Sequence, residues 1–203
     1  FENGGTREDF EQWTARGAYG IQVGSRFALC EDSGMKAELR EKIRDLSTQG
    51  ELEVQTSSVM SPTGYPIKYL PLEGTTADPE IYAARTRICN RGYLLQSHLE
   101  EQADGTTKET YICPAMPPEQ YARLGGDAGE TEGRVCLCNG LLSTAGYYDD
   151  IEAPVVTMGV SGKNIHRRET AREIVEEILT PAYVAQREKE LQTGSFRVLE
   201  TVT

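Results

Sequence analysis

Positive charge, histidine and long apolar runs are all scarce in this chain, and each shortage removes a class of function. Over 203 residues, 21 lysines and arginines stand against 32 acidic residues, a formal net charge of -11. A sequence-independent grip on nucleic acid needs clustered cations that displace counterions, and an anionic membrane surface attracts the same groups. Neither partner is expected. No apolar run approaches the roughly 20 residues that span a bilayer, and no charged-then-apolar leader opens the chain, so a soluble, cytoplasmic protein is expected. The two histidines, His98 and His166, read as surface or capping residues rather than as bases. No paired-carboxylate site, Ser-His-Asp constellation or internal repeat is visible. Because the first residue is Phe1, the chain is expected to be a fragment, a cleavage product or a split subunit.

What is present is alternation. In "TREDFEQWTARGA", Thr6 caps a helix, Asp9 sits where a capping-box acid belongs, Phe10 and Trp13 share a face, and Gly17 stops the run. "YGIQVG" follows as a short strand with β-branched Ile21 and Val23. A second helix carries Met35, Leu39, Ile43 and Leu46 at helical spacing, with Ser33 as its cap and Gly50 as its stop. Helix, strand, helix with short links predicts a parallel α/β layer. Beyond residue 50, extended segments and turns prevail, with a weak helix within 79–99 and a loop-like stretch from Asp104 to Gly146. "RRETAREIVEEIL" predicts a last helix with Ala171, Ile174, Val175 and Ile178 on one face, ending before Pro181. Residues 181–203 read as a polar tail.

Two glycine turns carry the chemistry. Gly4 and Gly5 precede the first capped helix, and Gly24 and Ser25 close the short strand. Backbone amides without an obstructing Cβ, a small hydroxyl and a helix start together suit a phosphate, and strand–helix barrels build such a site after their seventh and eighth strands. Either pair alone also reads as ordinary loop glycines.

Cys89, Cys113, Cys136 and Cys138 lie in a Gly- and Pro-rich region short of large apolar residues. Such a region needs a staple, and in a reducing compartment a thiolate-bound zinc is one. Only the "CLC" pair is close in sequence, so four unmodified buried thiols is the competing reading. Cys30 reads as packing. The acids of the first helix, and Glu169, Glu173, Glu176 and Glu177 of the last, read as solvated faces, while Tyr65, Tyr93 and Tyr121 suit either a pocket or a core.

"NGGTREDFEQWTARGAYGIQVGSRFALCEDSGMKAELREKI" resembles the end of the FMN-dependent (β/α)8 barrels of the nitronate monooxygenase (2-nitropropane dioxygenase-like) family. There an "AGG" turn follows the seventh strand and "GAxGVQxGTRF" forms the eighth strand and its turn. "SPTGYPIK", "RTRICNRGYL", "YICPAMPPEQYARLGG" and "GRVCLCNGLL" are similar to a C-terminal extension of one branch, so the resemblance runs to about Leu179. It implies the C-terminal part of a TIM barrel, incomplete in this chain. Residues 1–50 would be its last unit, 51–180 an irregular α+β extension covering it, and 181–203 the tail. By resemblance, Gly4, Gly5, Gln22, Gly24, Ser25 and Arg26 hold FMN, and the enzyme oxidises a small alkyl nitronate with oxygen. Ser25 replaces the usual Thr and keeps the hydroxyl, while Asn3 replaces Ala. The catalytic histidine and the remaining strands lie on a missing N-terminal portion, which a second chain would supply. An FMN-dependent enoyl reductase and a non-catalytic interaction module retaining the barrel end are the alternatives.

Overall fold

The computed structural model describes residues 5–147, 151–159 and 165–193. Within them the chain is mixed α/β: eight α-helices and two small antiparallel sheets, with no closed barrel and no helix long and apolar enough to cross a membrane. It divides into two compact units, one from the described residues of Phe1–Ser33 and Ser161–Thr203, the other from those of Gly34–Val160.

The first unit opens with α1 (Arg7–Ala15), started by the expected reciprocal cap between Thr6 and Asp9. Its only fully buried side chain is Phe10, too little for a helix to stand alone. Cover comes from α7 (Ala171–Ile178), whose Ile174 and Ile178 join Phe10 and Cys30 in one core. It comes also from α8 (Pro181–Gln192), whose Tyr183 ring meets Phe10 edge to face at 4.8 Å. The boundary expected at residue 50 is therefore not where the structure divides, and most of the expected polar tail is helix. Pro181 ends α7 and also starts α8: its fixed φ suits a first helical position, and the Thr180 hydroxyl accepts from the Tyr183 amide. Residues 194–203 lie outside the described residues. Val175, expected on the buried face, is 42% exposed.

Among the described residues the strand expected over 19–24 does not form, nor does a parallel layer. The segment still alternates, with Ile21 and Val23 half-buried against the Phe10 core and Gln22 exposed. A strand needs a neighbour to complete its ladder, and none lies beside it among the described residues. At Ser25 the chain turns into the single-turn helix α2 (Ser25–Ala28).

The second unit begins with α3 (Ala37–Gln49), which buries Leu39 and Ile43 and stops at left-handed Gly50 as expected. Its start is Lys36 rather than Ser33, and the Lys36 amide is satisfied by the Thr144 carbonyl at 2.9 Å. Strands β1 (Gln55–Ser57) and β2 (Ile67–Tyr69) pair antiparallel, and Thr157 bridges Tyr69 on the far side. The weak helix expected within 79–99 is reduced to α4 (Pro79–Ala84), capped by Asp78. β3 (Gln96–Glu101) and β4 (Thr107–Ile112) then form a hairpin. The stretch expected to be loop-like instead carries β4, α5 (Pro118–Arg123), a 3-10 turn at Ala128–Thr131 and α6 (Leu137–Thr144). Order there rests on a core of Ile112, Cys113, Ala115, Met116, Tyr121 and Cys136. At Gly126 a Cβ would lie 2.2 Å from the Tyr121 ring, so only glycine lets the chain pass that buried tyrosine.

Candidate functional site

Of the six residues expected at the phosphate, Gly4 lies outside the described residues, as does Asn3; Gly5, Gln22, Gly24, Ser25 and Arg26 all sit in the first unit. Arg26 links the two turns. It follows Gly24 and Ser25 directly in sequence, and its Nη1 donates to the carbonyl of Gly5, tying the second turn to the first. A Cβ built at either Gly5 or Gly24 would meet nothing within 4 Å. Neither glycine is therefore explained by crowding from the protein itself. Gln22 opens onto a hollow of about 480 Å³ whose wall includes Trp13, Arg16 and Ile21.

Arg26 is 2% exposed and surrounded by acceptors. Its Nε and Nη2 form a bidentate fork on Glu169 at 2.5 and 2.6 Å, and Nη2 also donates to Glu177 at 2.6 Å. These bonds, that to Glu169 foremost, hold the guanidinium charged against the cost of burial. The bond from Arg26 lowers the Glu177 carboxyl below the usual carboxylate range, with Arg167 adding to it from 2.9 Å. Two cations thus face two carboxylates. Arg26 serves as an internal clasp, not as a cation turned outward to a phosphate. Reading Glu169 and Glu177 as parts of a solvated face is corrected here, since Glu169 is buried and Glu177 half-buried. The partners lie 143 and 151 residues from Arg26, beyond what local charge patterning can reveal.

His98 is on β3 of the second unit, and His166, in the first, is exposed. Tyr65 and Tyr93 are exposed at 77% and 69%, and only Tyr121 is core.

In the second unit Cys89, Cys113, Cys136 and Cys138 line one cavity of about 10 Å³, room for a single water-sized occupant. Burial pushes the Cys89 and Cys113 thiols up and Cys136 up to about 11, and the neighbouring thiols add to it. Backbone amides oppose that rise: Gly92 toward Cys89, Ala115 toward Cys113 and Asn139 toward Cys136. All five cysteines are free thiols. Among the described residues no three His, Cys, Asp or Glu side chains are drawn together in a metal-holding arrangement. Cys30, apart from the others, packs in the Phe10 core.

Comparison of the chain with protein-family models, with curated proteins and with solved structures finds no match.

Proposed function

We propose that this chain is the cofactor-phosphate end of an FMN-dependent oxidoreductase that oxidises a small alkyl nitronate with oxygen in the cytoplasm. In this reading residues 19–24 form the eighth strand of a (β/α)8 barrel whose earlier strands, and catalytic base, lie on residues outside this chain. The bond from Arg26 to the Gly5 carbonyl carries it, because it joins two glycine turns whose Cβ directions are open, an arrangement that would suit one phosphate. Gly24, which is exposed, would offer its amide, Gly5 would keep the approach free of a side chain, the Ser25 hydroxyl would donate to a phosphate oxygen, and Arg26 would position the turns without touching the ligand. Gln22, beside the hollow, would face the flavin. When bound, FMN supplies two-electron acceptor chemistry, which no side chain here provides. The alternating burial of Ile21 and Val23 supports an unpaired strand position.

Gly24→Val, in protein with the barrel portion supplied, tests the reading. Gly24 has a negative φ and an unobstructed Cβ direction, so the substitution is expected to leave stability within about 0.5 kcal/mol while abolishing flavin binding. Ser25→Ala loses one charge-assisted hydrogen bond, about 1.5–3 kcal/mol, or about ten- to a hundredfold in flavin affinity, and is rescued by excess FMN. Unchanged flavin affinity in Gly24→Val contradicts the phosphate site. NAD(P)H oxidation without nitronate-dependent oxygen uptake points instead to an enoyl reductase.

A further inference from the structure

Four thiols separated by up to 49 positions in the sequence meet at one cavity, and the surrounding backbone is built to serve sulfur. Cys89, Cys113 and Cys136 each begin a tight turn that brings an amide two or three residues on back to the sulfur: Gly92, Ala115 and Asn139 respectively. A thiol is a weak acceptor and gains little from such a donor, whereas a thiolate gains much. Gly92 reaches this position at φ 70°, where a side chain is strained. The turns are also fastened together. The buried Asn139 amide donates to the Ile88 carbonyl at 3.1 Å and to the Asn90 side chain at 3.0 Å, joining the Cys136–Cys138 segment to the Cys89 turn. Positive charge is close by. Arg91 lines the cavity, and Arg134 favours the Cys113 thiolate while its own hydrogen bonds go to the carbonyls of Glu130, Ser58 and Ser61.

We propose that Cys89, Cys113, Cys136 and Cys138 hold one zinc ion as a tetrathiolate centre that staples the second unit. Zinc takes four thiolates at about 2.3 Å, a tetrahedron whose centre is no larger than a single-occupant cavity. The sulfurs ring that cavity without yet converging to coordination distance, so binding draws them inward. Each thiol gives up its proton, and the amides and arginines offset the negative charge left on the complex. No redox partner is involved, since neither zinc nor sulfur changes oxidation state. Irregular chain on either side of each cysteine then has a fixed point beside the apolar cluster to which Cys113 and Cys136 belong.

The full chain, purified in reductant without chelator, is assayed for metal, then stripped and titrated with Co²⁺. About one zinc per chain is expected, with a tetrahedral thiolate–cobalt spectrum that zinc displaces. Cys113→Ser and Cys138→Ser are expected to lose that spectrum and Cys30→Ser to keep it. Asn139→Ala, which frees the Cys89 turn but removes no ligand, should weaken zinc binding about ten- to a hundredfold. Where a cysteine variant fails to fold, protection of the four thiols from alkylation by zinc in the unsubstituted chain gives the same answer. Absence of zinc with no cobalt spectrum, a disulfide among the four in the reduced preparation, or metal retained by the Cys113→Ser/Cys138→Ser double variant overturns the centre.

Discussion

The two units gather their long irregular segments with different chemistry. In the first, Arg26 gathers Glu169, Glu177 and the Gly5 carbonyl, so three distant stretches are fixed by charge. In the second, four cysteines and Asn139 gather the 88–92, 113–116 and 136–139 turns, so comparable stretches are fixed around sulfur. The guanidinium can satisfy several acceptors at once because its donors form a rigid planar fork. A cluster of neutral thiols offers only weak polar bonds, so under the proposed zinc centre the second arrangement would gain its strength when a metal replaces the protons.

The largest expected effect is the loss of the clasp. Arg26→Ala leaves Glu169 buried without its countercharge, and breaking a buried pair in this way costs about 3–5 kcal/mol. The chain has a single tryptophan, Trp13 on α1, so denaturant unfolding followed by tryptophan fluorescence reports the first unit, whereas backbone circular dichroism reports both. The fluorescence midpoint is expected to fall sharply while a large share of the dichroism transition stays in place. A coincident fall in both signals would show that the units unfold as one.

Elements with local signals were legible in the sequence. The Thr6–Asp9 capping box, the Gly50 stop and the α7 periodicity each depend on residues within a few positions of one another, and each recurs in the structure. What escaped depends on distant partners. Residues 20–24 carry β-branched side chains and the alternation of a strand, but a ladder comes from a neighbouring strand that propensity does not provide. Glu169 and Glu177 look like any acids of an amphipathic helix until Arg26 is brought to them. The stretch from Asp104 to Gly146 reads as loop because composition does not reveal that a glycine there accommodates close packing, as Gly126 does against Tyr121. The grouping of four cysteines was legible only through the need of a Gly- and Pro-rich region for a staple, since only Cys136 and Cys138 are near in sequence, and all four line one cavity.

A middle-sized effect belongs to the second unit. Tyr121 is 4% exposed, its hydroxyl donates to Glu130 at 2.7 Å, and its ring occupies the place a residue-126 side chain would need. Gly126→Ala therefore forces the ring aside and is expected to cost about 1–3 kcal/mol. The dichroism transition should shift and the Trp13 transition should not, the reverse of Arg26→Ala. Stability equal to the parent would mean that the ring moves at no cost, and the tight passage would lose its structural importance.

The smallest effect is acid sensitivity, and here the units run in opposite directions. The carboxyl of Glu177 is held below its ordinary value by Arg26, so its contribution is full above the unfolded value, about 4.3, and disappears as pH falls through the lower folded one. Burial raises Glu152 in the second unit, against the pull of Arg85 at 3.0 Å. A folded value above the unfolded one makes its contribution greatest below about 4.3 and diminishing as pH rises to the folded value. Acidification from neutrality thus weakens the Glu177 bond only after it has begun to favour a neutral Glu152. Glu177 is 34% exposed, and solvent screening limits its share to at most about 1 kcal/mol. Glu177→Gln should flatten the fall of the Trp13 unfolding midpoint below about pH 4.3, while Glu152→Gln should leave that midpoint unchanged and alter only the dichroism transition. Parallel acid profiles for the parent and Glu177→Gln would assign the first unit's acid response to Glu169 and the remaining carboxylates.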